Sequence, residues 1–259
     1  MNKRKNKIAL VTGASRQVGI GAAIARELAR DEIDVFITYF RPYDHESGLA
    51  GDPNEPQMLL ACIQKAGRNA DGLEIDLSKS DAPRQLFDHV QAAFGPVSIL
   101  VNNATYSMRD GIENLCADQL DKHYAVNIRA MALLCAEFVK RYKKNLAGRN
   151  DGRIINISSG QSVGPMPGEL AYVATKGAVE AFTVSLSAEV GSLGITVNAV
   201  DPGITDTGWI SPALLAKWNA ESPMGRVGTP QDAARLVRFL ASQDAGWITG
   251  QVIHSRGGL

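Results

Sequence analysis

The sequence VTGASRQVGIGAAIARELA, residues 11–29, places Gly13, Gly19 and Gly21 between an apolar run and a helical pattern. Glycines at this point allow a backbone to approach a phosphate, which the unpaired N–H groups of the helix can bind. The stretch therefore predicts the first strand–loop–helix unit of a dinucleotide-binding fold. A literal GxGxxG/A pattern is absent, because Ile24 stands three residues after Gly21.

Outward from this unit, short β-branched runs alternate with longer helical patterns. The predicted strands are residues 8–12, 35–39, 72–75, 99–102, 153–158, 195–200 and 251–254. The predicted helices include residues 21–30, 57–66, 82–94, 118–144 and 171–192. Apolar strands without polar alternation are typical of a parallel sheet covered on both faces. The pattern predicts a single α/β domain over residues 1–259, with a doubly wound parallel sheet of about seven strands and helices on both faces.

Two segments interrupt the alternation. Residues 41–56 read as a long, turn-rich connection, and residues 204–224 read as an irregular stretch with apolar side chains such as Trp209 and Trp218. Long connections in compact folds are often functional. The first segment is either the edge of a cofactor site or a tolerated surface insertion. The second is expected to lie over a substrate or to pack into the core.

Composition excludes several classes of protein. Twenty-seven basic residues balance twenty-seven acidic ones, so no global field points to nucleic acid or to an anionic membrane. The three cysteines lack CxxC spacing and the four histidines lack HExxH spacing, which argues against a disulfide framework and a metal site. The basic start, residues 1–7, is followed by too short an apolar run for a signal peptide. A cytoplasmic protein is expected.

A second group of residues points to proton transfer. Tyr172 and Lys176 stand four residues apart in a helical pattern, so they project from one face. The pKa of a phenol is about 10 in solution, and a nearby ammonium would lower it by favouring the phenolate. Tyr172 would then exchange a proton with a carbonyl or an alcohol. Ser159 follows a predicted strand, where its hydroxyl could hold the substrate oxygen.

The end of the second predicted strand bears on the choice of dinucleotide. An acidic residue there would bind the ribose 2′-hydroxyl, whereas a basic residue suits a 2′-phosphate. Tyr39 and Arg41 stand at this place, with no carboxylate before Asp44, and Arg16 lies in the glycine loop. Because arginine binds phosphate through two parallel hydrogen bonds, we expect NADP(H) in preference to NAD(H). NAD(H) stays open if both arginines are ordinary solvated loop residues.

With Asn102, Asn103 and Ala104 after the fourth strand and Pro202 and Gly203 after the sixth, the motifs resemble those of the short-chain dehydrogenase/reductase family over almost the whole chain. The resemblance implies a Rossmann-type fold and hydride transfer at the nicotinamide C4. The implied catalytic residues are Ser159, Tyr172, Lys176 and Asn127, the last holding a water in a proton relay. The predicted cofactor-binding residues are Gly13, Ser15, Arg16, Gly19, Ile20, Gly21, Tyr39, Arg41, Asp76, Leu77, Asn103, Ala104, Tyr172, Lys176, Pro202, Gly203 and Thr205.

Within this family the chain most resembles 3-oxoacyl-acyl-carrier-protein reductases and their bacterial relatives, on residues 194–200 and 248–251. A small-molecule carbonyl substrate is expected, with a carrier-linked 3-oxoacyl thioester as one candidate. The spacing of Tyr172 and Lys176 favours carbonyl over enoyl reduction. The alternatives are a dehydrogenase of an alcohol, sugar or steroid, and a dinucleotide-sensing protein without turnover. Since many members pack through their two long helices, a homotetramer or homodimer is expected.

The sequence departs from the family pattern in two places. Five residues separate Gly13 from Gly19, two more than usual, so the loop must bulge. Arg256 stands where relatives carry an aspartate, and it is interpreted as a solvated terminal arginine in preference to a cation at a subunit contact. A basic cluster would attract an acidic carrier or stabilise a helix end. Its members are Lys140, Arg141, Lys143, Lys144, Arg149 and Arg153.

Overall fold

A computed structural model describes residues 7–258, and the basic residues before Lys7 lie outside this range. Its strands are β1 (Ile8–Val11), β2 (Asp34–Tyr39), β3 (Ala70–Glu74), β4 (Ile99–Asn102), β5 (Gly152–Ile157), β6 (Ile195–Asp201) and β7 (Val252–His254). Among the described residues they form one seven-stranded sheet in the order β3-β2-β1-β4-β5-β6-β7, with every neighbouring pair parallel. Each predicted strand is present to within two residues at either end. The prediction of a Rossmann-type parallel sheet is confirmed.

Helices cover both faces of this sheet. They are α1 (Ile20–Arg30), α2 (Arg41–Glu46), α3 (Glu55–Lys65), α4 (Ala82–Ala93), α5 (Ala117–Tyr124), α6 (Met131–Asn145), α7 (Leu170–Val190), α8 (Pro212–Glu221) and α9 (Pro230–Ala241). Alternate residues of a strand point to opposite faces. Ala9 and Val11 of β1 therefore pack with α1, α3 and α9, whereas Ile8 and Leu10 pack with α4, α6 and α7. Within residues 7–258, no helix has the length and apolar character that crossing a membrane requires.

Two sequence predictions of local structure are wrong, and a third is confirmed with one addition. Residues 118–144 are helical, with a π-helical turn, Ala125–Ala130, between α5 and α6. Residues 41–56 begin with α2, whose Pro42 occupies a first-turn position where a missing N–H costs nothing. Residues 204–224 contain α8, which Ser211 caps by accepting a hydrogen bond from the N–H of Leu214. Both missed helices are short and have a proline in the first turn.

The strand order reverses beside β1, which has β2 on one side and β4 on the other. In open α/β sheets such a switch point leaves a crevice at the carboxyl ends of the strands. The loop after β1 and the loop after β4 face each other across this crevice. The sheet thus sets the place where the glycine loop meets the asparagine motif.

Candidate functional site

The glycine loop lies directly against the end of β4. Asn103 Nδ2 donates to the carbonyl oxygens of Thr12 (2.8 Å) and Gly13 (2.9 Å), and Thr12 Oγ1 accepts from the N–H groups of Asn103 and Ala104, both at 3.0 Å. Gly13 has a φ of +73°, and a Cβ there would lie 2.6 Å from Ala104 Cα. A Cβ at Gly21 would lie 2.6 Å from Asn103 Nδ2. Glycine is therefore required at both positions for this close approach.

A cavity of about 410 Å³ opens at the switch point. Most of the predicted cofactor residues line it: Gly13, Ser15, Arg16, Gly19, Ile20, Gly21, Tyr39, Asp76, Leu77, Asn103 and Ala104. The predicted residues outside this lining are Arg41, Tyr172, Lys176, Pro202, Gly203 and Thr205. The volume is in the range of pockets that bind small organic molecules.

Helix α2 supplies a wall of this cavity, which agrees with the first of the two alternatives for residues 41–56, the edge of a cofactor site. The lining residues from this region are Phe40, Tyr43, Asp44 and Glu46. The Tyr43 hydroxyl donates to the carbonyl of Ser107 (3.1 Å) and accepts from its N–H (3.0 Å), and Tyr106 Oη donates to Glu46 Oε1 (3.1 Å). These bonds attach α2 to the loop after β4. Burial raises the pKa of the Asp44 carboxyl.

The two arginines predicted to bind a phosphate are placed differently. The guanidinium of Arg41 donates to the carbonyl of Gly51 (3.0 Å) and pairs with Asp44 Oδ2 (3.3 Å), and its side chain is buried outside the cavity lining. Arg16 lines the cavity, and its Nη1 donates to the carbonyl of Thr207 at 2.8 Å. Of the two, Arg16 is the cation at the cavity.

The extension of the glycine loop is held by the start of α3. The N–H of Gln17 donates to the Glu55 carboxylate, and Gln17 Nε2 donates to the carbonyl of Glu55 at 2.9 Å. Arg26 Nη1 donates to the carbonyl of Gln17 at 3.1 Å. Gln17 and Val18 do not line the cavity. The predicted bulge therefore turns away from the cavity and leaves its volume free.

Ser159, Tyr172 and Lys176 meet at the carboxyl end of β5. Lys176 is buried, its Nζ donates to the carbonyl of Ile157 at 2.7 Å, and the same atom lies 5.5 Å from the centre of the Tyr172 ring. Ser159 lies close enough to Tyr172 to influence the pKa of its hydroxyl, and Ser159 Oγ donates to Met166 Sδ at 3.9 Å. The three predicted catalytic side chains thus form one cluster.

The electrostatics of this cluster differ from the prediction. Burial raises the pKa of Tyr172 to about 12, and the nearby Ser159 side chain opposes this increase. Burial also lowers the pKa of Lys176 to about 8. Desolvation penalises the charged form of both groups. The prediction that Lys176 brings the pKa of Tyr172 below its ordinary value is therefore wrong for this structure.

Asn127 lies in the π-helical turn and uses its whole side-chain amide. Its Oδ1 accepts from the N–H of Tyr106 (2.8 Å) and from Thr105 Oγ1 (3.1 Å). Its Nδ2 donates to the carbonyl of Tyr106 (2.9 Å) and to Thr175 Oγ1 (3.0 Å). An asparagine amide has two donors and two acceptor sites, so none is left for a relay water. The side chain joins the cavity-lining Thr105 to the helix that carries Tyr172.

Asp110 caps this catalytic helix, and sequence reasoning did not identify it. Its carboxylate accepts from the N–H groups of Leu170 (2.5 Å) and Ala171 (3.0 Å), while its own N–H donates to the carbonyl of Gly168 (2.8 Å). The first N–H groups of a helix have no partner within it, and the helix dipole favours an anion there. The cap is sixty residues away in sequence, so no local capping pattern could reveal it.

Replacing Asp110 with alanine is expected to lower the free energy of unfolding by about 1–2 kcal/mol, because the start of α7 loses its cap. Urea denaturation measures this change. The control is Asp118→Ala, because the Asp118 carboxylate is mostly exposed and pairs only with Lys122 in the described structure. The control should stay within about 0.5 kcal/mol of the wild type. Equal effects of the two substitutions would contradict the capping role.

Arg256 is not the solvated terminal arginine that was predicted. Its Nη1 donates to Asp201 Oδ2 at 3.1 Å, and only 18% of its side chain is exposed, because the segment after β7 lies against the end of β6. Asp201 also accepts from the N–H of Gly203 at 2.9 Å. Arg256 therefore borders the segment that contains Pro202, Gly203 and Thr205.

Three of the six members of the basic cluster near the end of α6, Lys140, Arg141 and Arg149, pair with carboxylates of the described chain. Arg141 pairs with Asp88 (2.7 Å) and Glu137 (3.0 Å), and Arg149 pairs with Asp151. Arg153 is 1% exposed and donates to the carbonyl of Ser242. These arginines stabilise the fold, which weakens the interpretation of the whole cluster as a docking patch.

Known proteins are similar to this chain over almost its whole length. A family model described as "Enoyl-(Acyl carrier protein) reductase" matches residues 13–259. The "Uncharacterized oxidoreductase YjdA" of Bacillus subtilis is 49% identical over all of this chain and 98% of the relative, and the 3-oxoacyl-acyl-carrier-protein reductase FabG of Staphylococcus epidermidis is 34% identical over 98% and 99%. The solved structure of the promiscuous reductase LugOII, which catalyses keto-reduction at C1 during lugdunomycin biosynthesis, superposes with a TM-score of 0.84 at 35% identity, covering 99% of this chain and 98% of that one.

Proposed function

Because the chain belongs to the short-chain dehydrogenase/reductase family of nicotinamide-dependent oxidoreductases, we propose that it reduces a carbonyl to an alcohol with Tyr172 as proton donor. The observation that carries this proposal is the cluster of Ser159, Tyr172 and Lys176 at the end of β5. Thr105, Asn127 and Thr175 connect this cluster to the cavity by hydrogen bonds.

The cavity lining suits the adenosine and pyrophosphate part of a nicotinamide dinucleotide, because it contains the glycine loop and the start of α1, whose N–H groups can bind a phosphate. The absence of a side chain at Gly13 and Gly21 lets this loop pack against Asn103 and Ala104. Arg16 adds a cation at the same place. When bound, the dinucleotide supplies the hydride that reduces the carbonyl carbon.

The proposed reduction uses the protonated form of Tyr172. With a pKa of about 12, the phenol stays protonated at neutral pH and can give its proton to a carbonyl oxygen. The nearby Ser159 hydroxyl would hold the same oxygen as negative charge develops on it.

We propose NADP(H) as the preferred cofactor, with Arg16 binding the 2′-phosphate. Arg16→Ala is expected to raise the KM for NADPH roughly tenfold and to leave the KM for NADH nearly unchanged, because only the former has this phosphate. Steady-state kinetics with both cofactors measure the ratio. Arg30→Ala, at an exposed arginine in α1, is the control. An equal increase for both cofactors would mean that Arg16 only braces the segment around Thr207.

For the substrate we propose a 3-oxoacyl thioester, which the resemblance to the FabG protein supports. The test follows the loss of reduced-nicotinamide absorbance with acetoacetyl-CoA and, in parallel, with simple ketones and sugars. Turnover that is fastest with the thioester supports the substrate class. Turnover only with the other carbonyls would replace the thioester and retain carbonyl reduction.

We further propose that the protein is a homotetramer or homodimer that pairs through α6 and α7. Leu133 and Val184 expose apolar side chains on these helices, and a groove between the helices is lined by Val139, Phe182 and Leu186 among others. Light scattering after size exclusion gives the oligomeric state. A monomer at micromolar concentration would contradict this proposal.

A further inference from the structure

We propose that Arg256 is a positioning residue for the nicotinamide half of the site, where it holds the loops after β5 and β6 in place through the carboxylate of Asp201. This inference rests on the proposed function, because it assumes that the chain binds a nicotinamide dinucleotide. The resemblance assigns nicotinamide contacts to Pro202, Gly203 and Thr205 after β6. The loop after β5 contains Ser159.

The first step is the bonding of Asp201. Its side chain is 1% exposed at the end of β6. Oδ1 accepts from the N–H of Gly203 (2.9 Å), and Oδ2 is 3.1 Å from Arg256 Nη1 and 2.9 Å from His254 Nδ1. The carbonyl of Asp201 also accepts from the N–H of Ser255 at 2.8 Å. A buried carboxylate is stable only with such partners, so the segment after β7 is fixed to the start of the loop after β6.

The second step is the packing of Arg256 between the two loops. A Cβ at Gly160, next to Ser159, would lie 2.0 Å from Arg256 Nη1. A Cβ at Gly203 would lie 2.9–3.1 Å from the Cα, Cβ and Cγ atoms of Arg256. Gly203 also has a φ of +64°, which favours glycine. The loop after β6 therefore approaches the Arg256 backbone more closely than a residue with a Cβ would allow, and Gly160 leaves room for the guanidinium in its observed position.

The buried carboxylate of Asp201 also influences the proposed proton donor, Tyr172. The charge of Asp201 is among the influences that raise the pKa of Tyr172. At neutral pH, Arg256 is the permanent cation on this carboxylate, because His254 is charged only when protonated. Removing the guanidinium would leave a buried carboxylate less well paired and would open space between Gly160 and Gly203. The loops would then shift where the nicotinamide, and not the adenosine, is expected.

The experiment compares two ligands by isothermal titration calorimetry. They are NADPH and 2′-phospho-ADP-ribose, which lacks the nicotinamide. Arg256→Met is expected to raise the Kd for NADPH roughly tenfold and to change the Kd for 2′-phospho-ADP-ribose less than about twofold. A general loss of structure would weaken both ligands alike. Arg226→Met, which removes an exposed arginine paired with Asp232, is the matched control and should change neither Kd.

Equal changes in both Kd values, or no change in either, would overturn the positioning role. If Arg256→Met does not fold, the same two titrations are made with Arg256→Lys, because this variant keeps the cation but loses the contact with Gly160. A selective loss of NADPH affinity in that variant supports the inference, and equal effects on both ligands overturn it. A wild-type protein that binds neither ligand would instead refute the proposed function.

Discussion

Replacing Tyr172 with phenylalanine is expected to reduce kcat for carbonyl reduction by about 10²–10⁴-fold, the range that a positioned general acid contributes. The change removes one hydroxyl and leaves the ring beside Lys176. Cofactor affinity should therefore hardly change. Stopped-flow measurement of hydride transfer, with a parallel titration of NADPH, separates the two quantities.

The matched control for this variant is Tyr124→Phe, which removes a hydroxyl from an exposed tyrosine at the end of α5. This control should keep full activity. A Tyr172→Phe protein that retains more than about a tenth of the wild-type kcat would contradict the assignment of Tyr172 as proton donor.

Replacing Lys176 with methionine is expected to lower kcat by about 10²-fold or more, because the catalytic cluster loses the buried ammonium group of Lys176.

The same substitution should alter how the free energy of unfolding depends on pH. The pKa of Lys176 is about 8 in the folded protein and 10.5 as the reference for the unfolded chain. Between these values the unfolded chain binds more protons, so this lysine makes stability rise with pH. Below pH 8 the lysine is charged in both states, so the full cost of burying this charge lowers the free energy of unfolding.

The Lys176→Met protein lacks this pH-dependent contribution to the free energy of unfolding. Its free energy of unfolding, relative to the wild type, should therefore be highest below pH 8 and should fall as the pH rises towards 10.5. Urea denaturation of both proteins across this range gives the difference, in which the other titrating groups largely cancel. Lys217→Met, at an exposed lysine of α8, should show no such trend. A flat difference for Lys176→Met would contradict the depressed pKa.

Much of the sheet could be predicted because its signals are local. The apolar run before Gly13 and the glycines after it define one strand–loop–helix unit, and the same rhythm gives the other strands. The cavity residues from the glycine loop and from Asn103 follow, since parallel strands bring their carboxyl ends to one edge.

The residues that were missed act through contacts between distant parts of the chain. Asp110 caps a helix that begins sixty residues later, and Arg256, which follows β7, pairs with Asp201 at the end of β6. Helix α2 is stabilised by bonds such as that between Tyr43 and Ser107, which no local pattern contains. The pKa of Tyr172 was predicted in the wrong direction because burial is a property of the assembled fold.

The most direct test of the account follows the hydride itself. Wild-type protein is incubated with acetoacetyl-CoA and NADPH carrying two deuterium atoms at the nicotinamide C4, and the product is analysed by mass spectrometry. We expect a 3-hydroxyacyl thioester with one deuterium on the former carbonyl carbon, and no product above background from Tyr172→Phe. An alcohol product without deuterium, or equal labelled product from the Tyr172→Phe protein, would contradict the central claim.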